Sequence, residues 1–331
     1  MDGYVHKKSL SSTILDIILF IAFLISIAYL GISIYSYKCP YEYNYYYKKY
    51  IDGIDIEKIS IDKHNDYYRE YDYIFVQNSK YIYARNRQDL INAMYTLVNS
   101  GQKEIEFYCS KDYKDCTNDA KALVYDKNNN IISKLYEFSH PFNDYKSMSC
   151  GVDKDTNRVV YHINKKYSKK KIKAINAEVD RIYTELYNPN VDTITNIKVI
   201  HDYLVNNIEY DKTKSEFVEK KSDVDSTYDS SSAYGALIEH KAICSGYTDA
   251  MYLFLDRMGV QSMRITSKSH IWNAVKLNGV WYHLDLTWDD GRYTSGRSFL
   301  SHKYFLIDTP TLLSLDTKSH IFDTEVYKEL S

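Results

Sequence analysis

His270-Ile271-Trp272-Asn273-Ala274-Val275-Lys276-Leu277-Asn278-Gly279-Val280-Trp281-Tyr282-His283-Leu284-Asp285-Leu286-Thr287 contains two strand-like runs, His270 to Leu277 and Val280 to Thr287. Asn278-Gly279 between them is the strongest short-range hairpin signal and favours a two-residue type I′ turn. Leu277 then faces Val280, so Trp272 faces Asp285 and His270 faces Thr287. Alternation of side chains puts His270, Trp272, Ala274, His283, Asp285 and Thr287 on one side of the ribbon. His270 and Asp285 become diagonal neighbours, about 7 to 8 Å apart by backbone. Ile271, Val275, Leu277, Val280, Tyr282, Leu284 and Leu286 share the other side, which is expected to face the core. A slip of one residue would expose that whole set, so the register is well specified.

Upstream, Ala242-Ile243-Cys244-Ser245-Gly246-Tyr247 leads into a stretch where Tyr247, Met251, Phe254, Leu255 and Met258 recur at helical spacing. Gly259 supplies the stop expected past a helix end. Cys244 is therefore expected in the first turn of this helix, where unpaired N–H groups and the positive end of the dipole favour a thiolate. A helix end alone contributes only about 0.3 to 1 kcal/mol; a nucleophile also needs a base. Cys244 as nucleophile, His270 as base and later acid, and Asp285 as the group that fixes the imidazole tautomer form a self-consistent set for acyl transfer.

Four runs extend this reading: Ser232-Ala233-Tyr234-Gly235-Ala236-Leu237, the Cys244 stretch, Ser269-His270-Ile271-Trp272-Asn273, and Trp281-Tyr282-His283-Leu284-Asp285-Leu286-Thr287-Trp288-Asp289-Asp290. Together they resemble the core of the bacterial transglutaminase-like superfamily, over roughly residues 171 to 322. The resemblance implies an α+β, papain-like core, with a cysteine-bearing helix packed on an antiparallel sheet that carries histidine and aspartate. It maps a catalytic triad onto Cys244, His270 and Asp285. Ile271 departs from the family's smaller residues and bears on the width of the groove beside His270. Members include amide cross-linkers, peptidases and non-catalytic scaffolds, so the likeness speaks to fold more than to substrate.

Other residues carry two readings each. Tyr234 is a candidate oxyanion donor or a core tyrosine. Trp272 is a candidate groove wall or a core side chain. His283 is a candidate second imidazole on the ribbon face. Cys244, His270, His283 and Asp285 are ligand types that zinc accepts, yet no C-x-x-C or H-E-x-x-H spacing accompanies them. Neither metal nor cofactor is expected.

The remainder of the chain reads as delivery and support. Residues 1–12 form a short tail, and 13–37 a membrane span whose apolar run, Ile14 to Tyr37, holds fourteen Leu, Ile and Phe residues. Asp16 near its end costs at most about 3.5 kcal/mol, less than the summed gain from the apolar positions. Residues 38–75 read as a tyrosine-rich juxtamembrane linker. Residues 76–165 read as a small α+β unit, with a helix over Leu90 to Val98 and strands near Glu104 to Cys109, Ala122 to Tyr125 and Val159 to Ile163. Asp126 to Asn130 is expected to form a turn. In the last unit, 166–331, two amphipathic helices precede the motifs; the second is capped around Asp192. Thr213 to Ser232 reads as a loop and Tyr304 to Ile307 as a further strand. Lysines in the run Lys165 to Lys173 read as a solvated face, with contact to an anionic polymer as the alternative.

With 42 Lys and Arg against 44 Asp and Glu, no bulk electrostatic case for nucleic acid exists. Setting Cys244 aside leaves Cys39, Cys109, Cys116 and Cys150, an even number compatible with an oxidising compartment. Cys109 and Cys116 are the expected pair. The whole suggests a single-pass membrane protein, its bulk extracytoplasmic, acting on protein or peptide substrates associated with the cell wall. Its rival is a non-catalytic surface module that holds a peptide in the same groove.

Overall fold

The computed structural model describes residues 10–38, 43, 46–47, 50–51, 65–79, 82–126, 132–220, 224–292 and 298–330. Helix α1 (Leu10–Lys38) buries none of its side chains and has a mean hydropathy of 2.7 over its most apolar window. At 1.5 Å per residue its 29 residues span about 43 Å, long and apolar enough to cross a membrane. Cys39 and most of the linker lie outside the described residues.

The small α+β region is built on a four-stranded mixed sheet in the order β1-β2-β4-β3. Its strands are β1 (Tyr83–Ala84), β2 (Glu104–Cys109), β3 (Tyr145–Asp153) and β4 (Arg158–Lys165), and helix α2 (Arg87–Asn99) follows β1. Asn86 caps α2 by accepting the Asp89 N–H, and Gly101 just beyond has φ +65°. The strand expected at Ala122 to Tyr125 is instead the end of a helix, α3 (Cys116–Tyr125). A disulfide joins Cys109, at the end of β2, to Cys116, at the start of α3. Cys150 is a buried free thiol. Of the expected turn at Asp126 to Asn130, only Asp126 falls among the described residues.

Next come α4 (Lys169–Leu186) and α5 (Thr193–Asn207). Ser168 and Asp192 cap them by accepting the Lys171 and Thr195 N–H groups. The loop expected from Thr213 contains a helix, α6 (Lys212–Lys220), preceded by strand β5 (Glu209–Tyr210). Strand β6 (Lys241–Ala242) pairs in parallel with β5 and delivers the chain to helix α7 (Cys244–Arg257). A three-stranded antiparallel sheet follows, in the order β7-β8-β9: Ser262–Thr266, Ile271–Leu277 and Val280–Leu284.

The hairpin register runs from Leu277↔Val280 through Ala274↔His283 to Asn273↔Leu284, the pairing that the Asn-Gly turn dictates. Asn278 and Gly279 both have positive φ, 51° and 86°, as a type I′ turn requires. The second strand does not continue to Thr287. It stops at Leu284, and Asp285 becomes the N-cap of a short helix, α8 (Leu286–Asp289). Tyr304 to Ile307 forms no full strand; Ile307 makes an isolated bridge to His283.

Both faces of this sheet are covered, which corrects the expectation of a single core side. Val275 and Leu284 pack into a cluster with α5 and α7 residues such as Ile200, Leu204, Met251 and Phe254. Trp272 and Ala274, on the other face, join a cluster with Tyr304, Phe322 and Tyr327 that continues into Phe107 and Tyr161 of the four-stranded sheet. One hydrophobic core thus crosses from the small α+β region into the last unit.

Arg264 of β7 is fully buried, and its guanidinium bonds Asp144 (2.7 and 2.8 Å) and Asp249 of α7 (2.6 Å). Lys166 and Tyr167 also reach Asp249, at 3.1 and 3.0 Å. Two cations and one hydroxyl thus compensate two buried carboxylates, and the set pins the cysteine-bearing helix to the sheet.

Candidate functional site

Cys244 opens α7, so its own N–H has no intrahelical acceptor. Gly246 lets this turn lie against the preceding loop: an added Cβ would sit 2.6 Å from the Ser230 carbonyl oxygen. The Ile243 N–H donates to that same oxygen at 2.9 Å. Helix and sheet are joined by Thr248, whose hydroxyl donates to the Ile271 carbonyl (3.1 Å), and by Asn273, whose amide donates to the Thr248 carbonyl (3.1 Å). These bonds set the helix start beside the N-terminal end of β8, where His270 sits.

His270 is nearly buried, and its Nε2 lies 2.6 Å from Asp285 Oδ2. Trp272 stacks on its ring at 5.7 Å with 16° between planes, and the Ser267 hydroxyl accepts its backbone N–H at 3.1 Å. Burial opposes charge on His270, but the Asp285 carboxylate outweighs it, aided by the neighbouring Cys244, and lifts the imidazole to about 10. With Nε2 committed to Asp285, Nδ1 is the nitrogen left for the thiol. Cys244 is itself a free, partly exposed cysteine.

Asp285 is 1 % exposed. Burial favours its neutral form, yet His270 and a second imidazole hold it well below the usual carboxylate range. Its Oδ1 accepts the Thr287 and Trp288 N–H groups at 2.9 and 3.2 Å, and its Oδ2 accepts His270 and His320 at 2.6 and 2.8 Å. Four donors on one buried carboxylate fix its orientation as well as its charge.

His320 was not anticipated from the sequence. It is fully buried, and its Nδ1 lies 2.8 Å from Asp316 Oδ2, so a carboxylate oxygen faces each ring nitrogen. The ring also packs on His270, Trp272, Trp288 and Tyr304 at 4.9 to 5.2 Å.

The remaining candidates fall elsewhere. Trp272 is 1 % exposed and donates its Nε1–H to His283 Nδ1 at 2.9 Å, a core role that also backs the His270 ring. His283 Nε2 meets the Thr309 hydroxyl at 3.0 Å, so both ring nitrogens are engaged. Burial, then the nearby His320, lower His283 to about 4 and keep it neutral. Tyr234 faces the Lys171 ammonium, 4.6 Å from its ring centre. Among the described residues, two groups bring three ligand-type atoms within 4.8 Å of one another: His270, Asp285 and His320, and His201, Asp202 and His302. Hydrogen bonds of 2.6 to 2.9 Å account for the closeness in both.

Residues 158–291 match the family model described as a transglutaminase-like domain. The match contains Cys244, His270 and Asp285. Among solved structures, one titled "Crystal structure of a TGase" is similar at 14% identity and a TM-score of 0.33, covering 64% of this chain. This chain spans 60% of that structure's length. No curated protein matches. Asp316 and His320 lie beyond the matched residues, on the segment that closes over the far face of the β7-β8-β9 sheet. The two aspartates after Trp288 are held by structural hydrogen bonds. Asp289 accepts the Tyr304 N–H (3.1 Å) and meets His201 Nε2 (3.2 Å), and Asp290 accepts the Tyr247 hydroxyl (2.6 Å).

Proposed function

We propose that this chain is a membrane-anchored, extracytoplasmic cysteine enzyme that transfers acyl groups from peptide amides through a thioester on Cys244. The observation that carries the reading is the 2.6 Å contact of His270 Nε2 with the buried Asp285 carboxylate, made by an imidazole whose charged form the neighbouring Cys244 also favours. A binding groove has no use for a thiol, an imidazole and an ionised carboxylate in series.

In the first half-reaction Cys244 Sγ, its proton held by His270, attacks the amide carbonyl carbon. The C–N bond then breaks as His270 passes a proton to the leaving amine, and a thioester remains. The Cys244 N–H, with no intrahelical acceptor, would donate to the tetrahedral oxyanion. In the second half-reaction His270 takes a proton from the acceptor, water or a primary amine, as the C–S bond breaks and the thiol is restored. Asp285 stays ionised throughout and keeps Nδ1 turned to sulfur. His320 and Asp316 position Asp285 and do not touch the reacting atoms. Helix α1 would hold the site at the membrane surface.

The test uses the full chain in detergent with a glutamine- and asparagine-containing peptide library, with and without a primary amine, and product masses as the readout. Amine adducts mean cross-linking chemistry; hydrolysed products alone mean water is the acceptor. Both should vanish in Cys244→Ala, and wild-type-like product from that variant would overturn the proposal.

A further inference from the structure

The lysine run at 165–173 divides in two in the folded chain. Lys166 is paired with Asp249 (3.1 Å) and Asp144 (3.5 Å), and Lys171 with Asp229 (2.6 Å). Lys165, Lys169 and Lys173 turn instead to a cleft of about 900 Å³ between the end of β4 and the first turns of α4, where Lys103 joins them. Among the described residues no carboxylate lies within ion-pairing distance of any of these four ammonium groups, and no acidic residue lines the cleft. Two carboxylates touch lining side chains: Asp249, already paired with Arg264 and Lys166, lies 3.0 Å from the Tyr167 hydroxyl, and Glu104 lies 3.7 Å from His162.

These ammonium groups are held close to one another. Burial, then the charges of Lys103 and Lys169, lower the Lys165 ammonium below its ordinary range. Lys169 and Lys173 stand four residues apart, on one face of α4, where like charges repel. Folding alone gains nothing from gathering four cations around a cavity in a chain of net charge −2, whereas a bound polyanion would turn the repulsion into attraction.

The floor is preorganised. Asn65 Nδ2 bonds the Asn99 carbonyl and Asn143 Oδ1 at 3.2 and 2.9 Å, and Asn176 Nδ2 bonds the Tyr67 hydroxyl at 2.9 Å. With those amides satisfied internally, the lysines are left to do the recognising. They are compact point charges on flexible stems, able to gather around the oxygens of a multiply charged anion such as linked phosphates. The volume is that of a small-molecule site.

We propose that this cleft binds a ligand carrying two or more linked phosphate groups, whether a small polyphosphorylated molecule or the end of a phosphate polymer. The site is separate from Cys244 and does not depend on the acyl-transfer reading.

The test is isothermal titration of the full chain in neutral detergent with sodium tripolyphosphate at low salt, repeated with long-chain polyphosphate and with citrate. One saturable site per chain is expected, weakening as salt is raised to physiological strength. Lys165→Gln/Lys169→Gln should weaken it by about tenfold or more, given up to ~1 kcal/mol for each partly exposed charge pair. Lys154→Gln, on the exposed turn between β3 and β4, and Cys244→Ala should leave it unchanged. Tripolyphosphate binding as tightly as the polymer points to a small ligand; a preference for the polymer points to a chain end. No saturable binding, citrate binding as tight as tripolyphosphate, or an unaffected double variant with wild-type melting temperature would each overturn the proposal.

Discussion

Replacing Asp285 by asparagine keeps the size of the side chain and its ability to cap α8, and removes the charge. His270 is held at about 10 against an ordinary 6.5 by that charge, despite burial. At about 1.4 kcal/mol per pH unit, this difference is worth on the order of 5 kcal/mol to the folded state. The sign follows from a folded value above the unfolded one: the contribution is fully present below pH 6.5 and is lost as pH rises through about 10. In Asp285→Asn the buried imidazole has no anion beside it and becomes neutral near pH 7. Urea denaturation of wild type and variant between pH 6 and pH 10.5 should give a gap in unfolding free energy near 5 kcal/mol at the acid end. The gap should shrink by about 1.4 kcal/mol per pH unit above pH 6.5. A variant unfolded at pH 6 and folded at pH 10 would be the extreme form of the same result. A gap that is constant across the range would refute the ion pair, since loss of packing or of a cap does not titrate.

His320→Phe removes one of the four donors to Asp285 and leaves its volume filled. A charge-assisted hydrogen bond is worth about 1.5 to 3 kcal/mol, so turnover in the peptide assay should fall about ten- to a hundredfold, with KM little changed; Asp316→Asn should fall less. Arg264→Met strands Asp144 and Asp249 without their shared cation, and should cost about 3 to 5 kcal/mol in denaturant unfolding.

The hairpin was legible because Asn278-Gly279 fixes a two-residue turn and an alternating pattern fixes the faces; together they leave one register. The start of α7 at Cys244 was legible from the apolar stripe behind it. The end of the second strand was signalled as well: aspartate is a preferred N-cap, and Asp285 stops the strand by accepting two N–H groups of the next turn. Helix α3 was misread because Ala122 to Tyr125 is too short an apolar run for periodicity to separate strand from helix. Helix α6 was missed because it buries no residue and so carries no stripe. His320 carried no local signal. Its meaning comes from a carboxylate 35 residues earlier in the chain, and from the C-terminal segment folding over a sheet face that alternation alone assigned to the site.

The most direct measurement is the second-order rate at which iodoacetamide alkylates Cys244 in the full chain near neutral pH, read by peptide mapping beside free cysteine and a His270→Ala variant. A thiol paired with an imidazolium should react much faster than free cysteine and should lose that advantage in the variant. A rate at or below that of free cysteine, unchanged by His270→Ala, would contradict the account.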